Sequence, residues 1–228
     1  MNVVTRAQWG AAKPENRTAL AKSHQRGTAV HYSGSDSDEL SQHSNCGKRV
    51  LSIQRFHMGT RGWADIAYSY LVCKHGFVFE GRGLGVRTAA QGTNSGNDAF
   101  HAVCFLGDDT ANRDDVTDLG RVALREAVAH CNSWAGVKEV RPHSFFHSTG
   151  CPGDELRSWI IRGMPVVKEQ EDVLDMDEKK LRQIIQEEVT HVLRVATGKD
   201  DGSEPASRWF DTVKAQLKEI KDKVGINE

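Results

Sequence analysis

The chain has 228 residues, 38% of them hydrophobic and 27% charged, with a formal net charge of −1. That length holds one full core with some chain left over for an appendage. A near-neutral balance excludes a whole-chain nucleic-acid footprint, and no segment approaches the roughly 20 apolar residues that span a bilayer. The total conceals a split: residues 1–164 carry 19 Lys/Arg against 16 Asp/Glu (+3), whereas residues 165–228 carry 11 against 15 (−4). The first ten residues, M-N-V-V-T-R-A-Q-W-G, show no basic region followed by an apolar run, so no secretory leader is expected. The five cysteines (Cys46, Cys73, Cys104, Cys131, Cys151) are odd in number and lack framework spacing. That pattern predicts reduced thiols made in a reducing cytoplasm, with Cys73 and Cys104 acting as small core hydrophobes.

In chain order, Gly27 to Ser33 (G-T-A-V-H-Y-S) predicts a short strand closed by Gly34. Val50 to Met58 spaces Val50, Leu51, Ile53 and Phe56 at helical intervals. Two strands follow, Tyr68 to Cys73 and Phe77 to Glu80, joined by the turn K-H-G, and Phe100 to Leu106 is a further apolar strand. Val116 to Trp134 predicts an amphipathic helix with Leu119, Val122, Ala123, Ala127, Val128 and Cys131 on one side. A last helix begins after Cys151, with Pro152 in its first turn, Asp154 and Glu155 at its positive end, and Leu156, Trp159 and Ile160 facing inward. Strands interleaved with helices predict an α/β domain over residues 1–164, a mixed central sheet flanked by helices. Residues 165–228 read as an acidic helical tail. A first amphipathic helix runs through Leu181, Ile184, Ile185, Val189, Val192 and Leu193, and a polar linker lies near 197–207. Phe210, Val213, Leu217, Ile220 and Val224 then repeat at the spacing of a coiled-coil seam. Two heptads are too short to stand alone, so these helices pair with each other, with the body or with a second copy, a homo-oligomer.

The segment Arg141 to Gly153, R-P-H-S-F-F-H-S-T-G-C-P-G, carries the densest chemistry. It sets His143 eight residues ahead of Cys151, and imidazole and thiolate are good zinc ligands. His31, at the end of the first predicted strand, offers a third. That set leaves a fourth position open, the arrangement of a catalytic rather than a structural zinc site. His147, four residues before Cys151, rivals His143, and position alone does not separate them.

Six segments together resemble the zinc-dependent N-acetylmuramoyl-L-alanine amidases, the family that includes peptidoglycan recognition proteins and phage lysozymes of amidase type. They are R-A-Q-W-G-A at Arg6 to Ala11, V-H-Y-S around His31, S-I-Q-R-F-H-M at Ser52 to Met58, G-W-A-D-I-A-Y-S-Y-L-V at Gly62 to Val72, F-E-G-R-G at Phe79 to Gly83, and H-S-F-F-H-S-T-G-C-P-G-D at the end. Order and separation match over residues 4–162. The resemblance implies zinc at His31, His143 and Cys151, choosing His143 over His147, with a catalytic tyrosine at Tyr68 and a polar helper at Thr149. It departs from the family in three places. Ser52 stands where animal recognition proteins carry a second cysteine pairing with the one at Cys46. Leu84 and Gly85 match neither residue pair that sorts stem peptides, and Gln91 stands where many relatives have a groove histidine.

Other residues read as structural. Trp9 packs the N-terminal segment onto the body, Glu80 sits in a strand-end turn beside Arg82, and His57 and His101 are structural histidines. Trp63 lies near the expected groove. The function implied is hydrolysis of the amide between N-acetylmuramic acid and L-alanine in bacterial peptidoglycan, carried out by a phage endolysin held in the host cytoplasm until the membrane opens. The competing reading is a peptidoglycan-binding recognition protein without catalysis. Cys151 distinguishes the two, because such sensors typically lack that ligand.

Overall fold

A computed structural model of the chain describes residues 1–34, 40–108 and 116–165. These lie in the first of two compact units, Met1–Lys168. The helical tail expected over 165–228, with its linker and heptad seam, lies outside the described residues apart from Pro165.

Six strands form one sheet: β1 (Asn2–Val4), β2 (Gly27–Tyr32), β3 (Tyr70–Cys73), β4 (Phe77–Glu80), β5 (Phe100–Leu106) and β6 (Glu139–Pro142). Their order across the sheet is β1-β4-β3-β5-β2-β6. Only β3 and β4 run antiparallel, joined by a tight turn in which Gly76 adopts φ 81°. The other neighbours are parallel. Among the described residues four α-helices flank the sheet: α1 (His43–Arg55), α2 (Asn94–Ala99), α3 (Asp118–Ala135) and α4 (Asp154–Ile161). The architecture is the mixed α/β sheet with flanking helices that the alternation of signals predicts. No helix among the described residues is long and apolar enough to cross a membrane.

The period-two alternation of the strands sorts their side chains between two cores. On one face Val30, Val72, Val103 and Phe105 pack against Ala123, Leu124, Ala127, Val128 and Cys131 of α3 and Leu156, Trp159 and Ile160 of α4. On the other, Leu71, Cys73, Phe79, Cys104 and Leu106 pack against Trp9, Ile66, and Cys46 and Val50 of α1. His31 follows Val30 and lies opposite Cys104 in the β2–β5 register, so it belongs to the α1 face.

Several boundaries differ from the sequence reading. Helix α1 starts seven residues before Val50, and its buried stripe is Cys46, Val50 and Gln54, at four-residue steps, while Phe56 is 45% exposed. Gln54 is buried because its amide donates to Asp65 Oδ1 (2.8 Å) and its carbonyl accepts from the Ala12 amide (2.8 Å). Helix α3 is capped by Thr117, whose Oγ1 accepts from Gly120 N at 3.1 Å, and ends at Gly136 with φ 70°. Leu119 does not join its buried side; it is 63% exposed, and the inward position belongs to Leu124. Helix α4 begins at Asp154 behind Gly153 (φ 91°), so Pro152 precedes the helix instead of opening it.

One buried charge ties the N-terminal segment to the body. The Asp65 carboxylate is fully buried and meets Arg17 Nη2 at 2.6 Å and Arg6 Nη1 at 3.1 Å. Burial alone would raise its pKa, but the hydrogen bonds from Arg17 and Gln54, the Arg6 charge and the Ile66 amide outweigh it and hold the carboxyl below its ordinary value. Trp9 is buried beside this network and donates from Nε1 to Glu80 O at 2.9 Å.

Candidate metal centre

The site forms at the carboxyl end of two adjacent parallel strands, where an α/β sheet leaves a crevice beyond its strand ends. β2 delivers His31 one residue before its end. β6 ends at Pro142, and a 3₁₀ turn over His143–Phe145 directs His143 toward His31. The chain then loops back so that Cys151 approaches β2. Arg157 of α4 ties both ends of this loop, donating from Nη2 to Gly150 O (2.8 Å) and from Nε to Ser144 Oγ (3.2 Å).

Residues 120 apart in sequence therefore converge. The ligand-type atoms of His31, His143 and Cys151 all lie within 4.8 Å of one another. His31 Nδ1 is 3.9 Å from Cys151 Sγ, and the two imidazole centroids are 4.3 Å apart. Tetrahedral zinc with its usual bond lengths would set a sulfur and a nitrogen about 3.6 Å apart, close to the His31–Cys151 separation. The Tyr32 amide donates to Cys151 Sγ at 3.3 Å, aiming a backbone dipole at the sulfur.

Two buried nitrogens here, Nε2 of His31 and Nδ1 of His143, have no hydrogen-bond partner among the described residues. Orphaned polar atoms of this kind are costly and call for an explanation such as an ion. Burial, followed by the neighbouring His143 and His147, holds the His31 pKa well below its ordinary value. Burial and then His147 bring His143 down to about 4. Burial pushes the Cys151 thiol up to about 12, against the opposing pull of the Tyr32 amide and Arg157. The imidazoles thus stay neutral with lone pairs available, and the thiol is one that only a cation would deprotonate. The donor set fits zinc.

Tyr68 stands just ahead of β3, two residues outside the strand expected to include it, with its ring centroid 5.5 Å from that of His31. The carbonyls of residues 68 and 69 accept from the Gly81, Arg82 and Gly83 amides at 2.9–3.1 Å instead of continuing the ladder. Burial, with Cys104 and Cys151 nearby, raises the phenol pKa well above its ordinary value, so the hydroxyl remains a donor. His57 and Trp63 lie near Tyr68: their rings are 4.8 Å apart, and His57 lies 6.0 Å from Tyr68. Thr149 Oγ1 accepts from the Cys151 amide at 3.3 Å, which leaves its own proton free to point outward.

His147, the sequence-level rival, is exposed and does not join the triad. Its Nε2 instead lies 3.0 Å from His143 Nε2, and its Nδ1 lies 3.0 Å from Ser148 O. Its role as a prop for the His143 ring has no signature beyond the i, i+4 spacing. Gln91 is fully buried and donates to the carbonyls of Phe100 (3.0 Å) and His101 (3.3 Å), so its amide is spent on the start of the interior strand β5. Glu80 meets the Arg6 amide (3.4 Å), whereas Arg82 is buried and donates to the Ile66 and Arg87 carbonyls (2.6 Å each).

No protein-family model matches the chain. The porcine N-acetylmuramoyl-L-alanine amidase is 30% identical over 162 residues, which cover 68% of this chain and 26% of that protein. The chain therefore spans about a quarter of the length of the first curated relatives it matches. Peptidoglycan-recognition protein SC2 of Drosophila simulans is 29% identical over 165 residues, 70% of this chain and 86% of the relative. Among solved structures, peptidoglycan recognition protein LE in complex with tracheal cytotoxin, a monomeric diaminopimelic acid-type peptidoglycan, superposes with a TM-score of 0.61 at 25% identity, covering 69% of this chain and 91% of that one. The fold is the peptidoglycan-recognition/amidase fold. Over this domain the chain is similar to N-acetylmuramoyl-L-alanine amidases and peptidoglycan recognition proteins.

Proposed function

We propose that this protein hydrolyses the amide bond between N-acetylmuramic acid and L-alanine in bacterial peptidoglycan, with zinc held by His31, His143 and Cys151. The observation that carries the reading is the convergence of these three ligand-type side chains, with Nδ1 of His143 left unpartnered, in a fold shared with amidases and peptidoglycan recognition proteins. When bound, zinc supplies a Lewis acid for the amide carbonyl and lowers the pKa of water to about 7. The protein's own contribution is orientation and hydrogen bonding. Tyr68, kept protonated by its surroundings, donates to the carbonyl oxygen as negative charge develops there. Thr149, anchored by the Cys151 amide, presents its hydroxyl proton to the same reacting centre. His147 holds the His143 ring, and the Tyr32 amide stabilises charge on the Cys151 sulfur. Trp63 and His57 offer an aromatic wall for substrate beside Tyr68.

We extend the proposal to the biological setting: a phage endolysin that waits in the host cytoplasm and reaches the wall once the membrane is permeabilised. The five free cysteines and Ser52 in place of a pairing cysteine are compatible with a reducing compartment. The test is a Cys151→Ser variant assayed for zinc content and for release of muropeptides from purified sacculi. Loss of one equivalent of zinc together with loss of muropeptide release supports the site and the reaction together. Zinc-loaded native protein that binds sacculi of several types yet cleaves no amide would replace the reading with a recognition protein.

A further inference from the structure

A second ligand cluster lies on the same sheet face, away from the site above. His43, Cys46 and Cys73 bring their ligand atoms within 4.8 Å of one another, the other such group among the described residues. His43 is the first residue of α1, Cys46 lies one turn further, and Cys73 ends β3. Both thiols are fully buried, and neither is in a disulfide. His43 Nδ1 sits 3.8 Å from Cys73 Sγ, close to the sulfur–nitrogen separation of about 3.6 Å that tetrahedral zinc imposes.

We propose that His43, Cys46 and Cys73 form a second metal site, specific for a thiophilic ion of the zinc class. Two thiolates and one imidazole are a soft donor set that selects such ions over calcium or magnesium. The His43 ring is already held: it stacks on Phe77 with centroids 3.9 Å apart and meets His75 edge-on at 5.8 Å. His75 in turn is fixed through Nε2 to Leu40 O at 2.9 Å. Such outer contacts orient a metal-binding imidazole before the ion arrives. His43 is half-buried, so the ion reaches the thiols past its ring. The ion would join α1 to the centre of the sheet, a structural role separate from the chemistry at Cys151.

The two sites are separated by working in a Cys151→Ser background. Metal-free protein is loaded with Zn²⁺ alone and, in parallel, with Co²⁺ as a spectroscopic probe. The full-length Cys151→Ser protein is expected to retain about one equivalent of metal, with cobalt spectra showing sulfur-to-metal charge transfer from two thiolates. Adding Cys73→Ser removes that equivalent. Adding His43→Asn instead, which keeps both buried thiols and so guards against misfolding, weakens Zn²⁺ binding at least about tenfold with an unchanged circular dichroism spectrum. Three results would each overturn the proposal: no metal in the Cys151→Ser protein, unchanged affinity in the His43→Asn double variant, or an intact-mass measurement after alkylation that finds Cys46 and Cys73 joined as a disulfide. Failure of the Cys151 site itself leaves these measurements unaffected.

Discussion

Gly27→Ala tests how tightly the edge of the sheet positions His143. A Cβ at position 27 would lie 2.2 Å from Glu139 O and 2.8 Å from Glu139 Cβ in β6, while real Cβ contacts essentially never fall below 3.0 Å. The neighbour is backbone, so relief requires β6 to retreat by about 0.8 Å from β2. Four residue pairs join these strands, from Gly27↔Glu139 to Val30↔Pro142, and His143 follows immediately. The overpacking cost is about 3 kcal/mol, at the upper end for an insertion into packed structure because the obstacle is main chain. A displacement approaching 1 Å in a ligand-bearing segment costs roughly 10²-fold in rate. The assay is urea unfolding together with Zn²⁺ titration and muropeptide release, with Gly59→Ala as control, since nothing lies within 4 Å of the Cβ it would add. Gly27→Ala protein with native stability, and with turnover within twofold of wild type, would refute the claim that β2–β6 proximity sets the site geometry.

Four further outcomes follow from the same structure. Asp65→Asn removes the partner of Arg6 and Arg17 in a buried network and should cost about 3–5 kcal/mol in urea unfolding, with circular dichroism as the readout. His101 is held down to about 4 by burial, then by His130. The unfolded chain therefore takes up a proton there first, so its contribution is full above about pH 6.5 and is lost as pH falls toward 4, by on the order of 3 kcal/mol at most. A His101→Gln variant should show a shallower loss of stability between pH 7 and 4.5 than wild type. Arg157→Ala releases the loop between Ser144 and Gly150, and should weaken Zn²⁺ binding about 10-fold while leaving the melting temperature within a few degrees. Truncation after Lys168 should preserve the fold, whereas truncation after Gly163 removes the buried Met164 and the Pro165 carbonyl that accepts from Trp159 Nε1 at 3.0 Å. The shorter protein should lose about 2–4 kcal/mol by thermal denaturation.

The site was more legible in the sequence than the elements that carry it. Imidazole and thiolate types are chemically explicit, so His31, Cys151 and a histidine ahead of it stood out as candidates, but position left His147 beside His143 and only the family resemblance chose between them. Strand β6 did not, because Glu139, Val140, Arg141 and Pro142 are all half-buried and show no apolar alternation. Three-residue β1 is too short for periodicity to register. The start of α1 was obscured by a stripe that includes Gln54, an amide whose burial depends on Asp65, a residue eleven positions away. Leu119 misled in the opposite direction. It sits on the correct helical face by period, but its Cβ lies against the Gly76 turn at the start of α3, and the side chain is exposed there. The His147–His143 contact and the Arg157 brace depend on how a loop closes on itself, and no local pattern announces that.

The sheet order has a consequence for metal exchange. Among the described residues β6 is an edge strand paired only with β2, and it is short and contains Pro142. Opening that single ladder separates His143 from His31 while the five remaining strands stay together. His143 thus follows directly on an edge strand, and zinc bound there would act as a clasp whose grip scales with the free zinc concentration. Amides of β6 should exchange with solvent faster than those of β5 in the metal-free protein, and should slow selectively as zinc is added.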